Sequence, residues 1–231
     1  MTKVNMNLLE LTDLENIKLK TINHEGKRYY LGEDDMKYPS VTTVVGLHSK
    51  KQIKLWRERV GEKEANKITK RATKRGTSFH QHVEDYLRKE KDFIEFDNIL
   101  QEQMFKSVQP MLDEIIPIAL EAPLYSHQLQ MAGRVDCIGI AHDQLAIIDF
   151  KSSSKPKQEY MAKPWYLQMT AYAIMVEELT GEPIKEICAI VAVEGLNTFQ
   201  LFVSDPTKHV CLLYTSPSPR DVEESRMPSS A

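Results

Sequence analysis

Hydrophobic positions change period twice along this chain. In residues 17–45, IKLKTI and KRYYL flank Asn23-His24-Glu25-Gly26, and YPSVTTVV follows with β-branched residues after Pro39. Apolar stretches on either side of a turn signal predict an extended N-terminal region built on a hairpin. Between 50 and 90 the spacing becomes helical, with two pieces expected to separate near Gly61 or Gly76. Phe79, Val83, Tyr86 and Leu87 place the second piece already under way by residue 79. A further helix is predicted over 97–115, where Ile99, Leu100, Met104, Val108, Met111, Leu112 and Ile115 lie near one face and Pro117 ends it.

Strand-like spacing then returns. IALEAPLY, LQMAGRVDCIGI and LAIIDFKS follow in quick succession, the last a near-continuous apolar run of the kind a buried strand carries. Asp143-Gln144 reads as the hairpin turn between the second and third. Residues 165–179 are helical and closed by Gly181 and Pro183, and CAIVAV and TFQLFV form a last strand pair around Gly195-Leu196-Asn197. The order predicts an α/β fold of the α+β kind, a mixed central β-sheet flanked by helices, with an N-terminal hairpin and a helical region before it. Residues 211–231 lack periodicity and resemble one reading frame through a transposase sequencing adapter, so a non-native or disordered tail is expected after about residue 210.

Composition narrows the class. The 231 residues are 42% apolar and 27% charged, a globular balance, and no run reaches the roughly 18 apolar residues of a membrane helix. Cys137, Cys188 and Cys211 show no CxxC spacing, which argues against a zinc ribbon, an iron–sulfur cluster or a disulfide scaffold. A reducing compartment fits, and the first residues match neither signal nor transit peptide, so a cytoplasmic location is expected. Charge is uneven. Residues 50–75 hold eleven Lys and Arg against Glu58, Glu62 and Glu64, in a chain of net charge −3. Lys70, Arg71, Lys74 and Arg75 close that block, and positive potential concentrated on one element suits a polyanion.

Asp136, in GRVDCIG, and Asp149-Phe150-Lys151, at the end of IIDF, carry the strongest chemical signal. On neighbouring antiparallel strands the two carboxylates converge, and period 2 puts Asp149 and Lys151 on one face with Phe150 turned into the core. Two carboxylates collect a hard divalent cation, and the Phe150 backbone carbonyl offers another oxygen. Lys151 would hold the attacking water or neutralise charge developing on phosphorus. His80 is a further candidate ligand, with Glu84 one turn away to orient it. His82 points off that face. Gln168 and Tyr172, also one turn apart, could scaffold the site or hydrogen-bond phosphate, and Glu121 is a further candidate acid.

Together these residues resemble the PD-(D/E)XK nuclease superfamily in its RecB-like branch, among exonucleases of mitochondrial and bacteriophage type. The pattern of a helical His, an Asp, a D-x-K pair and a helical Q-x-x-x-Y is met by His80, Asp136, Asp149-Phe150-Lys151 and Gln168 with Tyr172, in order, across residues 38–203. The resemblance implies a single nuclease domain over 1–210, with a basic helical arch and His-bearing helix in 50–90 and a restriction-endonuclease-like catalytic core in 117–203. It implies a metal-dependent exonuclease on single-stranded DNA, serving replication, repair or recombination, with Mg²⁺ or Mn²⁺ as cofactor and no nucleotide cofactor or membrane partner. His80, Asp136, Asp149 and the Phe150 carbonyl would then hold the metal, Lys151 would be catalytic, and Ser152, Ser153 and Lys155 would contact phosphate. Trp56 would offer base stacking. Replication or recombination proteins are the implied protein partners. A flap or structure-specific endonuclease on the same fold, or a non-catalytic nucleic-acid-binding module, are the competing expectations.

Overall fold

The computed structural model describes residues 8–24, 26–32, 36–89 and 94–215. A helix α1 (Leu8–Asp13) and a 3₁₀ turn (Leu14–Asn16) lead into a three-stranded antiparallel sheet of β1 (Lys20–His24), β2 (Lys27–Leu31) and β3 (Lys37–Pro39). The β1–β2 hairpin stands where the pattern put it. Gly26, at φ +72°, occupies its turn, and Glu25 lies outside the described residues.

The second half of YPSVTTVV is helical. Val41–Gly46 forms α2, which corrects the expectation of an extended chain to residue 45. Ser40 explains the reversal. Its hydroxyl accepts the Thr43 amide at 3.1 Å as an N-cap, and helical spacing then buries Val41, Val44 and Val45 together. Burial of one helical face outweighs the strand preference of β-branched residues.

Two helices follow, α3 (Lys50–Val60) and α4 (Glu62–Arg88). The break falls at Gly61, whose φ of +87° suits glycine, while Gly76 lies inside α4. Helix α5 (Ile99–Leu112) begins at the Asn98 cap and stops before Ile115; Pro117 lies in the following strand rather than ending the helix.

The main sheet has the order β4 (Ile116–Ser126), β5 (Met131–Ala141), β6 (Gln144–Ser153), β7 (Glu186–Val193), β8 (Phe199–Ser204). All neighbours are antiparallel except β6 and β7, which α6 (Lys163–Thr180) joins as a crossover. The predicted mixed sheet flanked by helices is therefore the observed one. Its β5–β6 turn is His142-Asp143, one residue earlier than expected, with both residues at positive φ as a tight primed turn requires.

Period 2 divides the core. Ile187, Ala189, Val191 and Val193 of β7 face α6, whereas Cys188, Ile190 and Ala192 face α4 and α5. That two-sided burial is why β6 and β7 read as continuous apolar runs. No helix among the described residues is long and apolar enough to cross a membrane.

A last helix, α7 (Val210–Tyr214), carries the fold past residue 210, where the tail was expected to begin. Its Leu213 is buried in the α6-side core, and Gln128 Nε2 donates to the Tyr214 hydroxyl at 2.7 Å. Leu213→Ala should lower stability by about 2 kcal/mol, read by urea unfolding. An unchanged midpoint would mean α7 contributes no packing.

Candidate active site and metal centre

Three strands bring three acids into one row. Leu120 pairs with Cys137 and Ala122 with Val135, so Glu121 lies opposite Asp136. Cys137 pairs with Ile148, so the next position along sets Asp136 opposite Asp149. The Phe150 amide bonds the Asp136 side chain, Oδ2 accepting at 2.9 Å, which ties the acid of β5 to the strand beside it.

Asp149 is 2% exposed on the central strand of the sheet. Lys151 Nζ stands 2.6 Å from its carboxylate and donates to Oδ1, and Gln168 Nε2 of α6 also donates to Oδ1 at 3.2 Å. Oδ2 receives the ion-pair contact but no directed hydrogen bond. Burial pushes the Asp149 carboxyl above the usual carboxylate range, against the pull of Lys151. Burial opposes charge on Lys151 as well, but Asp149 and Asp136 outweigh it and hold the ammonium protonated. The Gln168 amide also hydrogen-bonds the Tyr172 hydroxyl. Tyr172 in turn requires Gly133, where a Cβ would stand 2.7 Å from its ring and hydroxyl.

His80, one face of α4 away from the buried Phe79, places Nδ1 3.4 Å from Asp136 Oδ2. His80, Glu121 and Asp136 each present a ligand atom within 4.8 Å of the others'. Among the described residues this is the group able to hold a metal ion, and its donor set of two carboxylates and one imidazole suits a divalent cation. The cleft in front of it, about 700 Å³, is also lined by Lys151, Gln168 and Tyr172. Glu121 thus joins His80 and Asp136 in the candidate group, and Asp149, in the next strand, is paired with Lys151 beside it.

Glu121 reaches the group through a left-handed backbone, φ +50°. Side chains from outside the sheet hold both peptide groups of its neighbour. Leu120 N–H donates to Glu15 Oε1 at 2.5 Å, and Arg88 Nη2 donates to the Leu120 carbonyl at 2.9 Å. Neither Glu15 nor Arg88 carried a sequence signal. Desolvation, with Asp136 and Glu84 adding repulsion, pushes the Glu121 carboxyl up to about 7.

The other candidates are placed around this cleft. Glu84 accepts from Arg88 Nε at 3.0 Å and lines the cleft with His80. Ser153 is buried, its hydroxyl donating to the Lys155 carbonyl at 2.6 Å to close a turn. Phe150 contributes its amide to Asp136, and its ring is buried between the sheet and α5. Ser152 Oγ accepts from Arg75 Nε at 3.4 Å, and Arg71 and Arg75 both pair with Glu194 at the end of β7. Lys70, Lys74 and Lys155 are exposed, and Trp56 is half-buried on α3. His82 is buried edge-on against Phe96, 4.8 Å between rings, away from the cleft.

A family model for the PD-(D/E)XK nuclease superfamily matches residues 51–210. The chain belongs to that superfamily, whose members use a divalent metal. Among curated proteins it is similar to mitochondrial genome maintenance exonuclease 1 of Homo sapiens, 29% identical over 168 residues, covering 67% of this chain and 48% of that protein. The Xenopus tropicalis protein of the same name is 27% identical over 173 residues, at the same coverage. The chain therefore spans about half the length of these relatives.

The raised Glu121 carboxyl has a signed consequence for the metal-free protein. Its folded value near 7 exceeds the unfolded 4.5, so the protonated form stabilises the fold. That contribution is full below 4.5 and is lost as pH rises through about 7. In EDTA, wild type should lose Tm across this window relative to Glu121→Gln. A difference between the two melting curves that does not vary with pH would overturn the assignment.

Proposed function

We propose that the chain is a divalent-metal-dependent exonuclease that hydrolyses phosphodiester bonds of single-stranded DNA, in replication, repair or recombination. The observation that carries this reading is one cleft containing both a three-ligand group, His80, Glu121 and Asp136, and a lysine held by a buried carboxylate. Superfamily membership and the names of the similar exonucleases support it.

His80, Glu121 and Asp136 would hold Mg²⁺ or Mn²⁺, with the Asp149 carboxylate next in line and its Oδ2 free of a directed hydrogen bond. A divalent ion there polarises a phosphoryl oxygen and lowers the pKa of a water beside it. Lys151 Nζ faces the same cleft, positioned to hold the attacking water or to neutralise charge on the non-bridging oxygens. Asp149 keeps that ammonium charged and aimed, and Gln168 keeps Asp149 in place. Exposed Lys70, Lys74 and Lys155 supply phosphate contacts, with Arg71 and Arg75 drawn between Glu194 and the strand.

Purified protein with end-labelled linear single strands and Mn²⁺ or Mg²⁺ should release short products from an end, and chelation should stop it. Lys151→Ala and Glu121→Ala should each lower the rate by at least about 10²-fold. Cleavage of a circular single strand would replace the exonuclease reading with an endonuclease one, and absence of all cleavage would end both. In binding titrations, replacing Lys70 and Lys74 together should reduce the salt slope by about 1.4, at roughly 0.7 per phosphate neutralised. An unchanged slope would remove this face of α4 from the strand's path.

A further inference from the structure

A second cavity, about 400 Å³, is lined by Asp13, Lys18, Leu19, Tyr38, Tyr125 and His127 among others. Nothing in the catalytic reading uses it. We propose that it binds one unpaired nucleobase of the same strand whose phosphate occupies the active-site cleft, an inference that rests on the nuclease reading above.

Position argues first. One face of the small N-terminal sheet walls both cavities. The cross-strand pairs Asn23–Arg28 and Thr21–Tyr30 line the active-site cleft, and Leu19, Gly32 and Tyr38, farther along that face, line the second cavity. Tyr30 and Tyr38 are themselves register partners, one in each lining. On the opposite wall, Glu121 and Tyr125 share a face of β4, four positions apart, Glu121 in the first cavity and Tyr125 in the second. That offset is about 13 Å at about 3.3 Å per residue. A single strand spans it in about four nucleotides at a stacked 3.4 Å spacing, or fewer when extended.

Chemistry argues next. Tyr38, Tyr125 and His127 form a ring cluster, with centroids 5.2 Å apart for Tyr125–His127 and 5.9 Å for Tyr38–Tyr125. The Tyr38 hydroxyl and His127 Nδ1 stand 2.8 Å apart, which fixes the imidazole. Tyr38 is buried, whereas Tyr125 is half-buried and His127 exposed, so two of the three rings still have surface to offer. Asp13 and Lys18 bring one charge of each sign to the lining. A cavity with stacking surface, hydrogen-bonding groups and no surplus positive charge suits a base rather than a phosphate. The acids and Lys151 of the neighbouring cleft suit the reverse.

The test is binding of short single strands in EDTA, each with one abasic site moved stepwise along it, to wild type, Tyr125→Ala and His127→Ala. Tyr125→Ala should weaken binding of the intact strand about tenfold, within the range one base–aromatic stack contributes. One abasic position should weaken wild type by a similar factor and leave Tyr125→Ala unaffected, the signature of a direct pair. Should Tyr125→Ala not fold, His127→Ala on the exposed side must show the same coupling. Variants that bind like wild type, or that lose affinity equally at every abasic position, overturn the proposal. Hydrolysis by wild type in Mn²⁺ separates the two readings. Cleavage without coupling removes only the base pocket, and coupling without cleavage removes only the nuclease.

Discussion

A carboxylate buried in the middle strand of a five-stranded sheet cannot remain there without a partner. Asp149 sits between Ile148 and Phe150, 2% exposed, where desolvation and, after it, repulsion from Asp136 oppose its charge. Lys151 answers it from the same face of the same strand, two residues on, and Gln168 from the helix above. Removing either charge would leave the other uncompensated, at a cost of about 3–5 kcal/mol for a pair this deep. The surroundings follow from that pair. Gln168 holds Tyr172, Tyr172 lies against Gly133, and Gly133 leads β5 into Asp136. The side chain that would react is therefore set by a chain of packed contacts rather than by a loop, which is the rigidity a phosphoryl site needs.

The opposite side of the site is built differently. Glu121 takes its aim from a left-handed residue within β4, a conformation a non-glycine adopts only when its surroundings impose it. Glu15, from the turn after α1, and Arg88, from the last turn of α4, impose it by holding the Leu120 peptide from both ends. Arg88 also reaches Glu15 at 3.3 Å and Glu84 at 3.0 Å, so one guanidinium joins the N-terminal segment, the His80 helix and the edge strand. A segment far from the D-x-K pair in sequence thus holds the backbone that carries Glu121 into the candidate metal group.

This division explains what the sequence made legible. Strand and helix order, the mixed sheet and the shared face of Asp136, Asp149 and Lys151 follow from periodicity and spacing, because each sits on a long regular element whose period sets its face, whereas the place of His80, Gln168 and Tyr172 beside them came from the family resemblance. Glu121 was harder to rank. An acid in a strand carries no special pattern, and the aim of Glu121 depends on a left-handed backbone beside a peptide that distant side chains hold. Ser152 and Ser153 are adjacent hydroxyls that sequence does not tell apart, one facing Arg75 of α4 and the other bonded within its own turn. The VTTVV segment failed for a third reason, since propensity is local and the burial of Val41, Val44 and Val45 is not.

Electrostatics make the basic block more selective than its charge count suggests. Ala65 is buried in the first turn of α4 and the residues around it through Lys74 are exposed, so the helix shows its lysines to solvent over that stretch and turns a continuous buried face inward from Phe79 onward. Arg71 and Arg75 spend their charge on Glu194, and Arg75 on Ser152, which fixes the helix against the end of β7 and the strand carrying Lys151. A polyanion that takes those arginines must displace a carboxylate already bound to both. Exposed Lys70 and Lys74 have no such carboxylate partner among the described residues, so on the proposed reading attraction at long range would come from the lysines and the arginine–carboxylate exchange would be confined to close approach. On the proposed reading the same block would steer at a distance and discriminate at contact, with the two tasks on neighbouring residues, Lys70 beside Arg71 and Lys74 beside Arg75.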